Sequence, residues 1–492
     1  MNKIKMKNFR KLKFLTFVSI LVFLSSCERD NFTDPNDPRF GSVVDTSDAT
    51  GQTPEDQVPD FATSNLTTEI SVSTVDGKAI NPRIYGVNND WRRIKNGMYP
   101  AFQAALEQIN YELIRFPGGF ESEFYDWSEN TTPGWPNSPA QQGATIETVK
   151  ASNPNAISIV VPIRLAMLET LFSSNWEAAV ELLKNEAEEA ITRTGANNIL
   201  SVELGNEWWL QFAGQGVERE DKLKKYGEIA KRLARHINEK FPDASFKVLV
   251  NGDYTQPDEF TELNQIFGTA LDDIDGLILH TYTGYDSESH DIRQLQANID
   301  ACQTNLGKSY LSLSEWAPSK AYNNGKIYAQ GANLLVEQMY EHALAEADEA
   351  AFWPPTNPAI PGLGLFNFQL TLAYPTAQLF GDMASDFRGE VLNVTDGTVR
   401  AAAALQEDGT MVVYVIGKET PFTTVTLNLD TEISEVVSAQ IWQPGNLVDT
   451  AEATPMTLIN EVPYFKKDNS IVFNINEESL YTIYKLVLKV SN

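Results

Sequence analysis

The chain has 492 residues, with 66 acidic against 38 basic side chains and a formal charge of −28. That balance argues against nucleic acid as a partner, since a polyphosphate ligand needs a basic face. Two cysteines cannot supply a disulfide framework, so stability must come from a large apolar core, which a chain of this length can bury.

Lys3, Lys5, Lys7, Arg10, Lys11 and Lys13 precede an apolar run over residues 14–24, too short to span a bilayer comfortably. Leu24-Ser25-Ser26-Cys27 follows and resembles a bacterial lipobox. The resemblance implies a signal over residues 1–26, acylation of Cys27, and a protein lipid-anchored to a bacterial membrane, at the outer membrane or cell surface. The lipid anchor is then its one membrane contact. An ordinary cleaved signal with a chance cysteine is the alternative. Cys302 would be left as a small buried apolar residue. Residues 28–60 are rich in Asp, Pro, Ser, Thr and Gly without apolar periodicity, so 27–62 reads as the lipidated cysteine and a disordered tether. Extended at roughly 3.3 Å per residue, that tether reaches about 100 Å.

Beyond it, apolar strand-like runs alternate with amphipathic stretches. Strands are predicted at 84–87, 113–116, 157–163, 200–204, 248–250, 276–279, 310–313 and 350–353. Helices are predicted at 100–109, near Ile146, and at 176–193, 222–240, 260–271, 292–305, 329–347 and 376–387. Eight such units give an α/β fold, a (β/α)8 TIM barrel over residues 81–387, with reactive side chains expected just after the strands. After Arg388 the period changes to two, with strands at 399–405, 411–416, 423–429, 437–442, 471–475 and 482–488. These predict a C-terminal antiparallel β-sandwich over 388–492. The strand-like residues 68–74, within the segment 63–80, are a candidate to join it.

The fourth barrel strand runs into Glu203-Leu204-Gly205-Asn206-Glu207-Trp208-Trp209, and the seventh into Ser312-Leu313-Ser314-Glu315-Trp316. Two carboxyls facing each other across a barrel mouth suit glycosidic hydrolysis, which needs one proton donor and one ionised nucleophile or base. The alternative for either Glu is a surface ion pair.

The segment from about 80 to 387 resembles clan A glycoside hydrolases, on the strength of Gly205-Asn206-Glu207 and Ser314-Glu315. That resemblance implies a retaining mechanism with Glu207 as acid/base, Glu315 as nucleophile and Asn206 as a donor to the neighbouring sugar hydroxyl. Arg115-Phe116-Pro117-Gly118-Gly119, followed by Tyr125-Asp126-Trp127, is similar to a motif of α-L-arabinofuranosidases, although Phe120 stands where Asn is usual. His280-Thr281-Tyr282 is similar to the His-x-Tyr whose tyrosine bonds the nucleophile, and the resemblance implies a sugar-stacking aromatic where Trp353 stands after the eighth strand. A buried ion pair and a core phenol are the alternatives for Arg115 and Tyr282.

Trp91, Trp127, Trp135, Trp208, Trp209, Trp316 and Trp353 fall at or after strand ends, where each is either a sugar platform or packing. Asn88, Asn89 and Asp90 are either polar contacts or loop caps. Trp442 and Tyr464 in the sandwich read as core in preference to a glycan-binding face. His236, His280, His290 and His342 form no metal-binding spacing, and phosphate-binding loops and the nucleophile-elbow motif are absent, so no metal and no cofactor is expected. The tryptophan-rich rim favours endo action on a complex plant or algal polysaccharide, as in agarases and porphyranases. Exo-acting arabinofuranosidase action and a non-catalytic surface glycan-binding lipoprotein are the alternatives; β-xylosidases and heparanase-like enzymes share the barrel. Replacing Cys27 by Ser is expected to shift the protein from the detergent to the aqueous phase on Triton X-114 partitioning; a variant still recovered in detergent would refute the anchor.

Overall fold

The computed structural model describes residues 64, 66–132, 143–153, 156–211, 216–284, 290–318, 328–356, 364–418, 420–444, 455–460, 462–475 and 480–491. The signal, Cys27, the tether and Trp135 lie outside these residues. Among the described residues no helix is long and apolar enough to cross a membrane.

After β1 (Thr67–Ala79), the strands β2 (Gly86–Asn88), β3 (Leu113–Phe116), β4 (Ile157–Val161), β5 (Ile199–Leu204), β6 (Lys247–Gly252), β7 (Gly276–Tyr282), β8 (Tyr310–Ala317) and β9 (Glu349–Phe352) close into a barrel in that order. Every neighbouring pair is parallel, including the closure of β2 on β9. Around it lie α1 (Tyr99–Glu107), α2 (Ile146–Ser152), α3 (Glu169–Ser174), α4 (Trp176–Thr194), α5 (Arg219–Lys240), α6 (Asp258–Phe267), α7 (Leu295–Leu306), α8 (Tyr328–Leu344) and α9 (Pro375–Asp386). Strands such as Ile157–Val161 are buried throughout, and apolar but for Ser158, because both faces of a parallel barrel are covered.

Alternate strand residues divide the work. Ile114, Phe116, Ile159, Val161, Val202, Leu204, Leu277, Leu279, Leu311 and Leu313 pack outward into one apolar cluster with the helices, where Cys302 is also buried. The residues between them point inward and include polar Arg115, Ser158, Glu203 and Ser312 beside apolar Val160 and Ile278. Ser158 on β4 donates to Glu349 on β9 at 2.6 Å, and Arg115 on β3 pairs with Glu203 on β5 at 2.7 Å. Barrel interiors of this kind are usually filled by branched aliphatics; here charged and hydroxyl groups bond across the lumen.

Strand β8 breaks the alternation. Ile278 pairs with Ser312 and His280 with Glu315, while Leu313 pairs with Ala350 and Trp316 with Phe352, so β8 carries one extra residue against both neighbours. This bulge turns both Ser314 and Glu315 inward, toward Glu203 and Arg115 respectively, and sends Trp316 out to the core. The expectation that reactive groups follow the strands needs correcting: Arg115, His280, Tyr282 and Glu315 lie on the last residues within β3, β7 and β8. Polar residues there conceal the strands' true ends from an apolar-run reading.

The rest forms one ten-stranded sheet: β10 (Glu390–Thr395), β11 (Arg400–Leu405), β12 (Thr410–Ile416), β13 (Thr423–Leu429), β14 (Ile433–Gln443), β15 (Thr457–Asn460), β16 (Phe465–Lys467), β17 (Ser470–Ile475) and β18 (Ile483–Val490), with β1 among them. The order is β15-β14-β18-β12-β11-β10-β1-β13-β17-β16. β1 pairs antiparallel with β10 but parallel with β13, so the sheet has one parallel step. β17 and β18 are far apart in this order, yet Phe473 and Tyr484 rings meet at 5.2 Å. The sheet therefore folds over on itself, and its inner faces make a second apolar core. Strands β10, β15 and β16 escape the sequence reading because β15 and β16 are short and largely exposed and β10 has little alternation.

The sheet docks on the barrel through its other face. Ala402, Ala404, Val412, Tyr414, Ile416 and Ile483 share the barrel's apolar cluster with Phe380, Met383 and Ala384 of α9. Within that contact Lys485 reaches Asp382 at 2.7 Å and Asp386 at 2.5 Å, and the Tyr414 hydroxyl donates to Asp382 at 2.7 Å. Lys485→Ala leaves the Asp382 carboxylate against the buried Tyr414 without its cation, so urea unfolding is expected to show a loss of about 3 kcal/mol, the lower end for a broken buried ion pair.

Candidate active site

The site is assembled around Arg115, which is fully buried. Its Nε donates to Glu203 at 2.8 Å, its Nη1 to Glu315 Oε1 at 2.6 Å and to Asn88 Oδ1 at 3.0 Å, and its Nη2 to Asn206 Oδ1 at 2.8 Å. Asn88 is oriented in turn by donating to Ser314 O and Ala351 O. The second oxygen of Glu315 accepts from the Tyr282 hydroxyl at 2.7 Å.

Glu207 enters from β5 by a different device. Gly205 has φ +79° and Glu207 φ +46°, so the chain makes a left-handed turn that lifts the Glu207 side chain into the mouth. The Glu207 amide donates to Asn251 Oδ1 on β6 at 2.9 Å. His280 stands between the carboxylates, with Nδ1 3.1 Å from Glu207 Oε1 and 3.5 Å from Glu315 Oε2. Glu207, His280 and Glu315 each present one atom within 4.8 Å of the others, close enough to share a cation. The Arg115 guanidinium on Glu315 already supplies a fixed positive charge there, so the set is suited to holding protons.

The two carboxylates differ in environment. The Glu315 side chain is 3% exposed and that of Glu207 15%. Burial works to raise the Glu315 pKa, but His280, Arg115 and the Tyr282 hydroxyl outweigh it and hold the carboxyl below its ordinary range. Burial works to lower the His280 pKa, while Glu315 and Glu207 raise it on balance. For Tyr282, burial and the two adjacent carboxylates push the phenol well up, keeping it a donor.

Of the residues singled out in the sequence, Glu207, Glu315, Asn206, Arg115, His280, Tyr282 and Asn88 converge. Arg115 and Asn88 do so as supports, since their donors are spent on protein partners. Three tryptophans need correcting as substrate contacts. Trp127 is buried against Phe116 and Tyr125 and donates to Val160 O. Trp208 stacks on Tyr226 and donates to Asn251 O, and Trp316 packs among His342, Phe352 and Phe380. Trp209 takes the place expected of Trp208: it is half-buried, with its ring 6.0 Å from His280. Trp353 is half-buried at the end of β9, so close to Gly119 that a Cβ there would enter its ring. Glu203 and Asn251 were missed by motif. Their signal is a charged or amide side chain inside an apolar strand, where it must find a partner.

No family model and no curated protein matches the sequence. Solved structures do resemble the fold. The GH51 arabinofuranosidase from Xanthomonas axonopodis pv. citri superposes with a TM-score of 0.65 at 14% identity, over 86% of this chain and 100% of that one. The GH51 α-L-arabinofuranosidase from Thermotoga petrophila RKU-1 gives 0.63 at 13% identity, over 86% and 100%. A Paenibacillus polymyxa xyloglucanase of glycoside hydrolase family 44 gives 0.57 at 11% identity, over 86% and 100%. What is shared is the architecture, a TIM barrel with a β-domain.

A carboxyl held below its unfolded value stabilises the fold above the ordinary carboxylate range, and that contribution is lost as pH falls through the lowered value. In a carbon-13 titration Glu315 is therefore expected below the ordinary glutamate value of about 4.3. His280→Gln removes an adjacent cation and should raise the Glu315 pKa; an unmoved titration would mean that His280 carries no charge there.

Proposed function

We propose that the chain is a retaining glycoside hydrolase with Glu315 as nucleophile and Glu207 as acid/base. The observation that carries this reading is the carboxyl separation. One oxygen of each lies within 4.8 Å of the other, close to the roughly 5–5.5 Å of retaining pairs and well short of the roughly 6.5–9.5 Å that leaves room for a water in inverting ones.

The environments support the division of roles. Glu315 has one oxygen on Arg115 and the other on Tyr282, which keeps it ionised and aimed. It attacks the anomeric carbon while Glu207 gives its proton to the departing glycosidic oxygen. Glu207 then takes a proton from the water that breaks the glycosyl-Glu315 ester, so the configuration inverts twice. Asn206 Nδ2 has no partner among the described residues and is the donor for a sugar hydroxyl beside the reacting carbon.

We infer endo action on a plant or algal polysaccharide of the kind cut by agarases and porphyranases. With three tryptophans assigned to the core, support for an extended rim comes from half-buried Trp209 and Trp353 and from Phe120 and Phe368, 41% and 38% exposed, in loops after β3 and β9. The Arg115-to-Gly119 motif favours a second reading, exo-acting arabinofuranosidase. The lipobox-like Leu24-to-Cys27 segment supports attachment to a bacterial membrane, at the outer membrane or cell surface.

On agarose, porphyran, arabinoxylan and arabinan, the wild type is expected to release reducing ends from at least one, with the new anomeric centre retained by proton NMR. Glu315→Gln should abolish release, and Glu207→Gln should lower it roughly 10²–10⁴-fold, the span of general acid-base catalysis. Equal release by wild type and Glu315→Gln would sink the assignment, an inverted product the retaining mechanism, and cleavage of monomeric aryl arabinosides alone the endo reading.

A further inference from the structure

Glu123 is a buried carboxylate that the proposed chemistry does not use. It closes the 3-10 turn Phe120–Glu123 after β3 and is 2% exposed. Its partners are backbone amides from two other strand ends. Oε1 accepts from Asn206 N at 2.6 Å, and Oε2 accepts from Arg164 N at 2.6 Å and Ile163 N at 3.2 Å. The Arg164 guanidinium itself is turned toward Tyr125 O and Glu186.

The amides it binds belong to uncommon backbone. Arg164 has φ +54°, and Asn206 sits between Gly205 at +79° and Glu207 at +46°. A non-glycine residue in the left-handed region persists when its surroundings over-determine it. Two side chains do so here: Glu123 takes the Asn206 amide, and Asn251 takes the Glu207 amide at 2.9 Å. Three N–H donors converging on one side chain require an acceptor at both ends, which a glutamate satisfies and a glutamine cannot. Burial raises this carboxyl above its ordinary range, and the Arg164 and Asn206 amides limit the rise because each favours the anion.

We propose that Glu123 is the positioning residue for the acid/base: by clamping the turn after β5 to the end of β4, it holds the Glu207 carboxyl where it can protonate the leaving oxygen. This rests on the glycosidase reading. It assigns Glu123 no contact with substrate. Its effect should therefore be largest in steps that need a proton from Glu207.

The test is Glu123→Gln in the full chain, assayed on two aryl glycosides of a sugar the wild type cleaves. A 2,4-dinitrophenyl group departs without protonation, whereas a 4-methoxyphenyl group needs the acid, and kcat/KM reports the glycosylation step for both. The expected result is a fall of roughly 10–100-fold on the methoxyphenyl glycoside, part of the 10²–10⁴ that acid-base catalysis supplies, against less than about 3-fold on the dinitrophenyl one. Equal losses on both substrates, or no loss, would overturn the proposal, since a structural defect lowers both alike. Should Glu123→Gln fail to fold by circular dichroism, Glu123→Asp keeps the anion one methylene short and must show the same leaving-group dependence in smaller measure, equal losses again being fatal. A wild type inactive on every glycoside overturns the glycosidase reading itself; uniform loss in an active background overturns the positioning role alone.

Discussion

Arg115 places a full positive charge where no water reaches it, and the barrel is arranged to answer that charge. An unpaired ion at such depth carries a penalty of several kcal/mol, so its partners must be present in good geometry. They come from β2, from β5 and the turn that follows it, and from β8, as Asn88, Glu203, Asn206 and Glu315, with Arg115 itself on β3. One guanidinium thus fixes four of the eight staves relative to each other. Because Glu203 takes Nε and Nη2, the edge left for Glu315 is Nη1 alone, which sets where that carboxylate can lie. Below this layer Ser158 and Ser201 bond Glu349 and each other, and burial lifts the Glu349 carboxyl to about 7.

Side chains in a regular strand alternate, and regular alternation would have aimed Glu315 away from Arg115. The bulge in β8 corrects the aim by giving Ser314 and Glu315 the same side. On β5 the corresponding correction is the left-handed turn of Gly205 and Glu207. Both carboxylates therefore depend on a departure from ideal backbone, and each departure is held by buried polar contacts. Ser314 bonds Glu203, while the β5 turn is held by Glu123 and Asn251. The polar interior is what stabilises these irregularities, in a place where a purely aliphatic barrel would have no group to bond them.

This division explains what was legible in the sequence. Eight apolar runs alternating with amphipathic stretches announce the barrel, because parallel strands are buried on both faces and read as continuous hydrophobic segments. Arg115, Asn206, Glu207, His280, Tyr282 and Glu315 stand out as polar residues at the ends of those runs. Orientation was not legible. Trp208 and Trp209 are neighbours of identical chemistry, and a single 3-10 turn decides that the first fills the core and the second faces His280. Trp316 goes to the core for the same reason that Glu315 does not: one inserted residue. The clamp by Glu123 was hidden too, since its partners are backbone amides and carry no residue type to search for.

The same geometry separates the two carboxylates chemically. Glu315 is enclosed, with Arg115 on one oxygen and Tyr282 on the other, and it keeps its charge while it is bonded. Glu207 is the more open of the pair, held through its backbone, with His280 as its side-chain neighbour. A group that must exchange a proton twice in each cycle needs access to the leaving oxygen and then to water, and tight donors on both oxygens would prevent that. A group that must attack carbon needs fixed direction, which tight donors provide. On the proposed reading, holding one carboxylate by its oxygens and the other by its main chain satisfies both needs.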